Sequence, residues 1–155
     1  GPLINERAIE KQRQQVEDAL ARGARLVCGG KVNPAGPLFF DPTVLAEVPD
    51  DALVFREETF GPVAALAAFD DEEEVMARAN STETGLVAYL HTNDDTRIAR
   101  ITRRLEFGMV AVNRTKITGA PVPFGGVKQA GLGREGSRHG IEAYTDLKYV
   151  CRQSA

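Results

Sequence analysis

The sequence predicts a layered α/β fold that contains parallel strands. Short apolar runs bounded by turn residues recur along the chain, and other stretches carry apolar residues at helical spacing. One apolar run, residues 86–91, is followed by a helical pattern and then by a second apolar run, residues 108–113. A strand, a helix and a strand in that order favour a right-handed crossover and a parallel pair.

The composition is that of a globular domain. The chain has 155 residues, of which 43% are hydrophobic and 26% are charged, and its formal net charge is -3. Acidic and basic residues are interspersed, so neither nucleic acid nor an anionic membrane is expected as a partner. No apolar run approaches the ~20 residues that cross a bilayer. The two cysteines are far apart and lack metal-ligand spacing, which fits a reducing cytoplasm.

In the first half of the chain, a helix capped by Asn5 is expected to run to about residue 21, because its apolar residues fall on one face and its Glu, Lys, Gln and Arg residues on the other. Gly23 ends this helix, and residues 24–28 form a short strand. Residues 38–45 are extended, and Pro42, which cannot donate to a sheet, indicates an edge strand. Residues 63–69 form the next apolar strand.

The second half opens with five acidic residues, 70–74, which are expected to begin a helix. A calcium loop is the competing interpretation, but the alternate-position oxygens and the central glycine of such a loop are missing. Asp94 or Asp95 caps the helix between the two parallel strands. Residues 113–136 then lack periodicity and follow the carboxyl end of a strand, where ligands bind in open α/β sheets.

Residues 56–62, Arg-Glu-Glu-Thr-Phe-Gly-Pro, place an acidic pair and an aromatic residue at a bend. Gly61 can adopt backbone angles that other residues avoid, and Pro62 restricts the residue before it. A carboxylate offers two acceptor oxygens to a ribose diol, and a neighbouring ring could cover a flat heterocycle. The competing interpretation is a solvated acidic pair before an ordinary loop.

Residues 131–136 satisfy the pattern G-x-G-x-x-G but are not interpreted as a dinucleotide fingerprint. That fingerprint needs an apolar strand leading into its first glycine and a packed helix after its last one. The flanking residues, Val-Lys-Gln-Ala before and Ser-Arg-His after, provide neither. Here the glycines are expected to let a turn-rich segment fold back on itself.

Two blocks carry a family resemblance. Residues 57–62 resemble the E-E-x-F-G-P signature of the NAD(P)-dependent aldehyde dehydrogenase superfamily, and residues 123–135 resemble the P-F-G-G-x-K-x-S-G-x-G-R-E block that ends its catalytic part. The blocks follow the family's order and about its spacing. The flanking residues 1–5, 136–144 and 148–151 look most like the succinate-semialdehyde dehydrogenase branch.

The resemblance implies the C-terminal third of an NAD- or NADP-dependent enzyme that oxidises succinate semialdehyde to succinate. It implies a partial catalytic domain over residues 1–143 and an oligomerisation arm over residues 144–155. The cofactor-binding domain, the nucleophilic cysteine and the general-base glutamate would lie in the rest of the enzyme. Cys28, which we expect to be a small core residue, and Cys151 do not match the nucleophile, so no catalytic residue is expected here and the chain alone should be inactive.

The resemblance also implies binding roles for four residues. Glu58 matches the residue that holds the nicotinamide-side ribose, and Phe60 matches the ring that lies against the nicotinamide. Phe124 matches an aromatic residue of the aldehyde channel, and Thr118 falls where a Ser binds the distal carboxylate of the substrate. The basic residues of segment 114–116 either add positive charge to that channel or point to solvent. No metal site is expected.

Residues 144–151 alternate in polarity and predict an added strand that starts at Tyr144. Residues 145–151 resemble the family's C-terminal arm, which joins the sheet of another subunit, so a homodimer or homotetramer is expected. An edge strand within its own domain is the alternative. For the function, one alternative is a dehydrogenase of another semialdehyde or small aldehyde. The other is a naturally short protein that acts as a non-catalytic interaction module.

Overall fold

The computed structural model describes residues 1–154. In this part of the chain, four α-helices and seven strands form two units, the first spanning Gly1–Asp71 and the second starting at Glu72. Both units combine helices with a parallel strand pair, which confirms the α/β fold class. None of the helices among these residues is long and apolar enough to cross a bilayer.

The first unit opens with helix α1 (Glu6–Ala21), as the sequence predicts. Asn5 caps it, because the Asn5 Oδ1 accepts a hydrogen bond from the Ala8 N–H at 3.0 Å. The helix turns its apolar face toward the sheet of this unit and buries Val16 and Ala19 in the core.

Three strands form the sheet of the first unit: β1 (Arg25–Cys28), β2 (Thr43–Ala46) and β3 (Val63–Ala65). Strand β2 lies in the centre, antiparallel to β1 and parallel to β3. The edge position inferred from Pro42 is therefore wrong. Strand β2 begins at Thr43, one residue after Pro42, so the missing N–H of Pro42 falls outside the hydrogen-bond ladder.

The hydrophobic core of the first unit is centred on β2. Leu45 is fully buried in that strand, and residues of α1, of the loops and of helix α2 (Leu53–Arg56) surround it. Helix α2 is only four residues long and was not predicted from the sequence. Asp18 of α1 accepts a hydrogen bond from the Leu53 N–H at 2.8 Å, which joins α1 to the first turn of α2. That bond and Arg22 lower the pKa of the Asp18 carboxyl.

The second unit runs through α3 (Glu72–Asn80), β4 (Thr84–Gly85), β5 (Val87–Leu90), α4 (Asp95–Arg104), β6 (Met109–Val112) and β7 (Val127–Lys128). Strands β5 and β6 are parallel, with Val87 beside Met109, as predicted. Asp94 caps α4 by accepting from the Arg97 N–H at 3.0 Å. The pairing of β4 with β7 is antiparallel and was not predicted.

After a 3₁₀-helix at Gly140–Tyr144, residues 145–154 are exposed and have no regular structure. Tyr144 therefore belongs to a helical turn, and its assignment to the start of a strand is wrong. The remaining arm is expected to form a strand only against another subunit, because a strand needs a hydrogen-bonding partner. The division into a domain at 1–143 and an arm at 144–155 stays a prediction.

Candidate functional site

The bend between α2 and β3 presents a carboxylate and an aromatic ring to solvent. Helix α2 ends where the Glu57 N–H donates to the Leu53 carbonyl at 2.8 Å, and β3 begins at Val63. Between them Glu58 is exposed, and its carboxylate accepts no hydrogen bond from any of residues 1–154. Phe60 is 82% exposed. The structure therefore brings both predicted cofactor-binding residues to one bend.

Phe60 has a backbone φ of 44°, in the left-handed region. A bulky residue in this region is an outlier, and such strain concentrates at functional sites. The ring also lies outside the core, where burial would have stabilised it. Packing among residues 1–154 therefore leaves the face of this ring open, as contact with a flat ligand would require.

Beneath the bend lies Gln12 of α1, which is completely buried. Its Nε2 donates a hydrogen bond to the Thr59 carbonyl oxygen at 2.8 Å. Gly61 packs so closely on the same amide that an added Cβ would overlap Gln12 Oε1 and Cδ. A glycine is required at position 61 for this close approach rather than for a left-handed turn.

The sequence pattern places Gln12 on the polar side of α1, so this contact was not predicted. The spacing contained the signal, because positions 12, 15, 16 and 19 repeat at helical intervals along one face. All four of these residues are buried.

The two residues predicted to contact the substrate, Thr118 and Phe124, lie in the second unit. Phe124 is half-buried and exchanges two main-chain hydrogen bonds with Glu135, each of 2.8 Å. Thr118 is exposed on the irregular segment after β6. An open depression of about 700 Å³ lies in the same region and is lined by Ala120, Pro121, Pro123, Ser137, Arg138 and His139.

The glycines of residues 131–136 serve turns, as expected. The residues after Gly136 form bends and turns until the 3₁₀-helix at Gly140, so no packed α-helix follows the pattern. Gly136 has a φ of 69°, and a Cβ there would lie 2.8 Å from the Val122 carbonyl oxygen. The segment folds back closely on residues 119–122 only because this position is glycine.

Both cysteines are free and exposed, so the prediction that Cys28 is a small core residue is wrong for this chain. The Cys28 Sγ donates a weak hydrogen bond to the Pro42 carbonyl oxygen at 3.8 Å and makes no hydrogen bond to a side-chain base among residues 1–154. Arg114 and Lys116 are exposed, which favours the interpretation that they point to solvent. Among residues 1–154, no three His, Cys, Asp or Glu side chains are grouped as a metal site would require.

The relatives of this chain are aldehyde dehydrogenases. It is 51% identical over 151 residues to the succinate-semialdehyde dehydrogenase (NADP+) GabD of Escherichia coli, covering 97% of the chain and 31% of that protein. It is 52% identical to the 3-sulfolactaldehyde dehydrogenase of Pseudomonas putida, covering 97% and 31%. The chain thus spans less than a third of the length of these relatives.

Solved structures show the same fold. The succinate-semialdehyde dehydrogenase of Burkholderia pseudomallei superimposes with a TM-score of 0.91 at 53% identity, covering 93% of this chain and 30% of that one. The sequence model of the aldehyde dehydrogenase family matches residues 1–150, which include both the bend at Glu58 and the segment around Phe124. With nearly its whole length matched, this chain belongs to the aldehyde dehydrogenase family.

Proposed function

We propose that this chain is the C-terminal part of an NAD(P)-dependent succinate-semialdehyde dehydrogenase, which oxidises succinate semialdehyde to succinate. The observation that carries the proposal is the bend that exposes the Glu58 carboxylate and, two residues later, the Phe60 ring. The high identity to enzymes named for this reaction supports the choice of substrate.

In the proposed enzyme the bend binds the nicotinamide half of the cofactor. Glu58 would accept hydrogen bonds from the ribose hydroxyls, and a charged acceptor strengthens such bonds. Phe60 would offer its apolar face to the nicotinamide ring. When bound, the cofactor would supply the acceptor for the hydride removed from the aldehyde carbon. The residues at the bend fit this group because an exposed carboxylate and an exposed ring stand two residues apart on one bend, and the packing of residues 1–154 leaves the ring uncovered.

Two residues of the second unit are proposed to bind the substrate. The Thr118 hydroxyl donates to the carboxylate at the far end of succinate semialdehyde, and its extra methyl group narrows the channel relative to Ser. Phe124 forms part of the apolar channel wall. Its main-chain bonds to Glu135 hold this segment in place.

The remaining catalytic groups are proposed to come from the rest of the enzyme. Oxidation of an aldehyde through a thioester needs a thiolate nucleophile and a base that activates water. Neither Cys28 nor Cys151 hydrogen-bonds to a side-chain base among residues 1–154, so this chain alone is expected to be inactive. Residues 145–151 are proposed to pair with the sheet of another subunit in a homo-oligomer, and a cytoplasmic location stays a prediction.

A second candidate is a dehydrogenase for another small aldehyde that ends in an anionic group. The observation that favours it is the relative named 3-sulfolactaldehyde dehydrogenase, whose 52% identity equals that of several succinate-semialdehyde dehydrogenases. A sulfonate and a carboxylate both accept hydrogen bonds from a hydroxyl, so Thr118 suits either substrate.

Turnover of the full-length protein separates these candidates. We expect kcat/KM to be highest with succinate semialdehyde and lower with glutarate semialdehyde and 3-sulfolactaldehyde. Thr118→Val should raise KM for succinate semialdehyde about tenfold, because a hydrogen bond to a charged group is lost. Thr118→Ser should stay near the parent, and an aldehyde without the distal carboxylate should not distinguish the variants. Equal turnover of the three anionic aldehydes would contradict the narrow assignment.

A further inference from the structure

The hydrogen bond to Thr59 is consistent with only one orientation of the buried Gln12 amide. A carbonyl oxygen accepts hydrogen bonds and cannot donate them, so the Gln12 atom 2.8 Å from the Thr59 oxygen must be the Nε2. The Oε1 of the same amide then faces Gly61, and it has no hydrogen-bond partner among residues 1–154. Burying an unpaired amide oxygen is unfavourable, so this residue does not simply optimise the core.

The carbonyl that Gln12 holds belongs to the peptide between Thr59 and Phe60, one residue after Glu58. Its orientation therefore constrains the backbone that leads into the Phe60 ring and limits how far Thr59 can move relative to Glu58. Fixing that carbonyl also fixes the peptide bond that leads into the strained Phe60 backbone. On the next residue, the amide of Gln12 fills the space that a side chain at Gly61 would need.

We propose that Gln12 is a positioning residue for cofactor binding, which acts by holding the Thr59 carbonyl and thereby the geometry of Glu58 and Phe60. This inference rests on the proposed function, because it assigns Gln12 to the same site. Gln12 itself touches neither ligand, since it is completely buried. Its contribution therefore lies in cofactor affinity and not in aldehyde binding.

The chain contains a matched control one helical turn away. Gln15 is also completely buried on α1, its Nε2 and Oε1 have no partner among residues 1–154, and no hydrogen bond joins it to the bend. Methionine has nearly the shape of glutamine and no amide. Gln12→Met and Gln15→Met therefore make the same chemical change in the same helix, and only the first breaks the bond to Thr59.

The test measures three quantities in the full-length protein: the Kd for NAD and for NADP, the aldehyde KM, and the midpoint of thermal unfolding. We expect Gln12→Met to raise the Kd of the preferred cofactor about fivefold to tenfold, the equivalent of one hydrogen bond, with the aldehyde KM unchanged. Gln15→Met should leave that Kd within about twofold of the parent, although both variants shift the unfolding midpoint. An unchanged Kd in Gln12→Met, or an equal increase in Gln15→Met, would overturn the proposal.

Gly61→Ala perturbs the same contact from the other side and serves if Gln12→Met does not fold. Its methyl group must displace the Gln12 amide, so the cofactor Kd should rise, and Gln12→Ala should partly relieve the effect in the double variant. A cofactor Kd that Gly61→Ala leaves unchanged would also overturn the proposal.

Glu58→Gln distinguishes failure of this inference from failure of the proposed function. If Glu58→Gln weakens cofactor binding and Gln12→Met does not, only the role of Gln12 is wrong. If neither weakens it, the bend is not the cofactor site, and both proposals fall.

Discussion

The Gln12 side-chain amide donates to the Thr59 carbonyl oxygen at 2.8 Å, across 47 residues of sequence. This bond joins the first helix of the chain to the bend that carries Glu58 and Phe60. The geometry of the bend is therefore set partly by helix α1 and not only by the Gly-Pro sequence that follows Phe60. The residues of the bend are contiguous in the sequence, but their geometry depends on a contact with a residue far away in the sequence.

Leu45 is the largest fully buried side chain among residues 1–154. It lies in the central strand β2, so Leu45→Ala removes apolar contacts in the core of the first unit and leaves a cavity. We expect a loss of about 2–5 kcal/mol in the free energy of unfolding, measured by urea denaturation of the chain. Leu147→Ala, at a completely exposed leucine, is the control and should change it by less than about 0.5 kcal/mol. Similar losses in both variants would contradict the assignment of the core.

Acid should destabilise the first unit partly through Asp18. The Leu53 N–H and then Arg22 stabilise its ionised form and lower its pKa below the ordinary value of 3.8. The folded state therefore binds this proton less tightly than the unfolded state does. The contribution to stability is fully present above the ordinary pKa and is lost as the pH falls through the lowered one.

Asp18→Asn should accordingly reduce the difference in unfolding free energy between about pH 6 and about pH 3. Asp146→Asn, in the exposed C-terminal segment, is the control and should keep the pH dependence of the parent. The account of Asp18 is wrong if the two variants show the same acid profile.

Asn113 follows strand β6 and joins its end to the residues after β5 through two hydrogen bonds to Thr92. Its Oδ1 accepts from the Thr92 N–H at 3.0 Å, and its Nδ2 donates to the Thr92 carbonyl at 2.8 Å, with a backbone φ of 52°. Asn113→Ala loses both bonds and places alanine in the left-handed region. We therefore expect the free energy of unfolding, measured by urea denaturation, to fall by about 2 kcal/mol. Asn113→Gly keeps the backbone freedom and should lose less. Equal losses would show that the backbone angle contributes nothing.

The exposed residues after Tyr144 should matter for assembly and not for the fold of the single chain. Leu147, Tyr149 and Val150 are all mostly exposed, and a strand formed there would need a partner from another subunit. Removing residues 145–155 from the full-length protein should lower its mass in light scattering to that of a smaller assembly. Leu132→Ser, at another fully exposed apolar residue, should leave the mass unchanged. An unaltered mass after truncation would contradict the role of the arm.

Elements with strong local signals were predicted correctly from the sequence. Asn5 and Asp94 cap helices where a polar residue precedes a helical pattern, and β5 and β6 are parallel because a helix connects them. Helix α2 and strands β4 and β7 were missed, because two to four residues are too few to show a period. The central position of β2 was also missed. Pro42 within an extended run predicts an edge strand, whereas the strand begins after Pro42, at Thr43.

The site was predicted in part for the same reason. Glu58 and Phe60 belong to a contiguous motif, and the structure places both on one exposed bend. Gln12 was missed because glutamine is usually a surface residue, whereas this one is buried, and because its partner Thr59 lies far away in the sequence. Its place on the apolar face of α1 was the one available signal.

The affinity of the full-length protein for its nicotinamide cofactor, measured for Glu58→Gln and Glu57→Gln side by side, tests the central claim most directly. Both carboxylates are exposed and adjacent, so the two variants remove the same charge from the same bend. We predict that Glu58→Gln raises the cofactor Kd about tenfold or more, because charge-assisted bonds to the ribose weaken, and that Glu57→Gln stays within about twofold. Equal Kd values for the two variants would contradict the assignment of this bend to the cofactor.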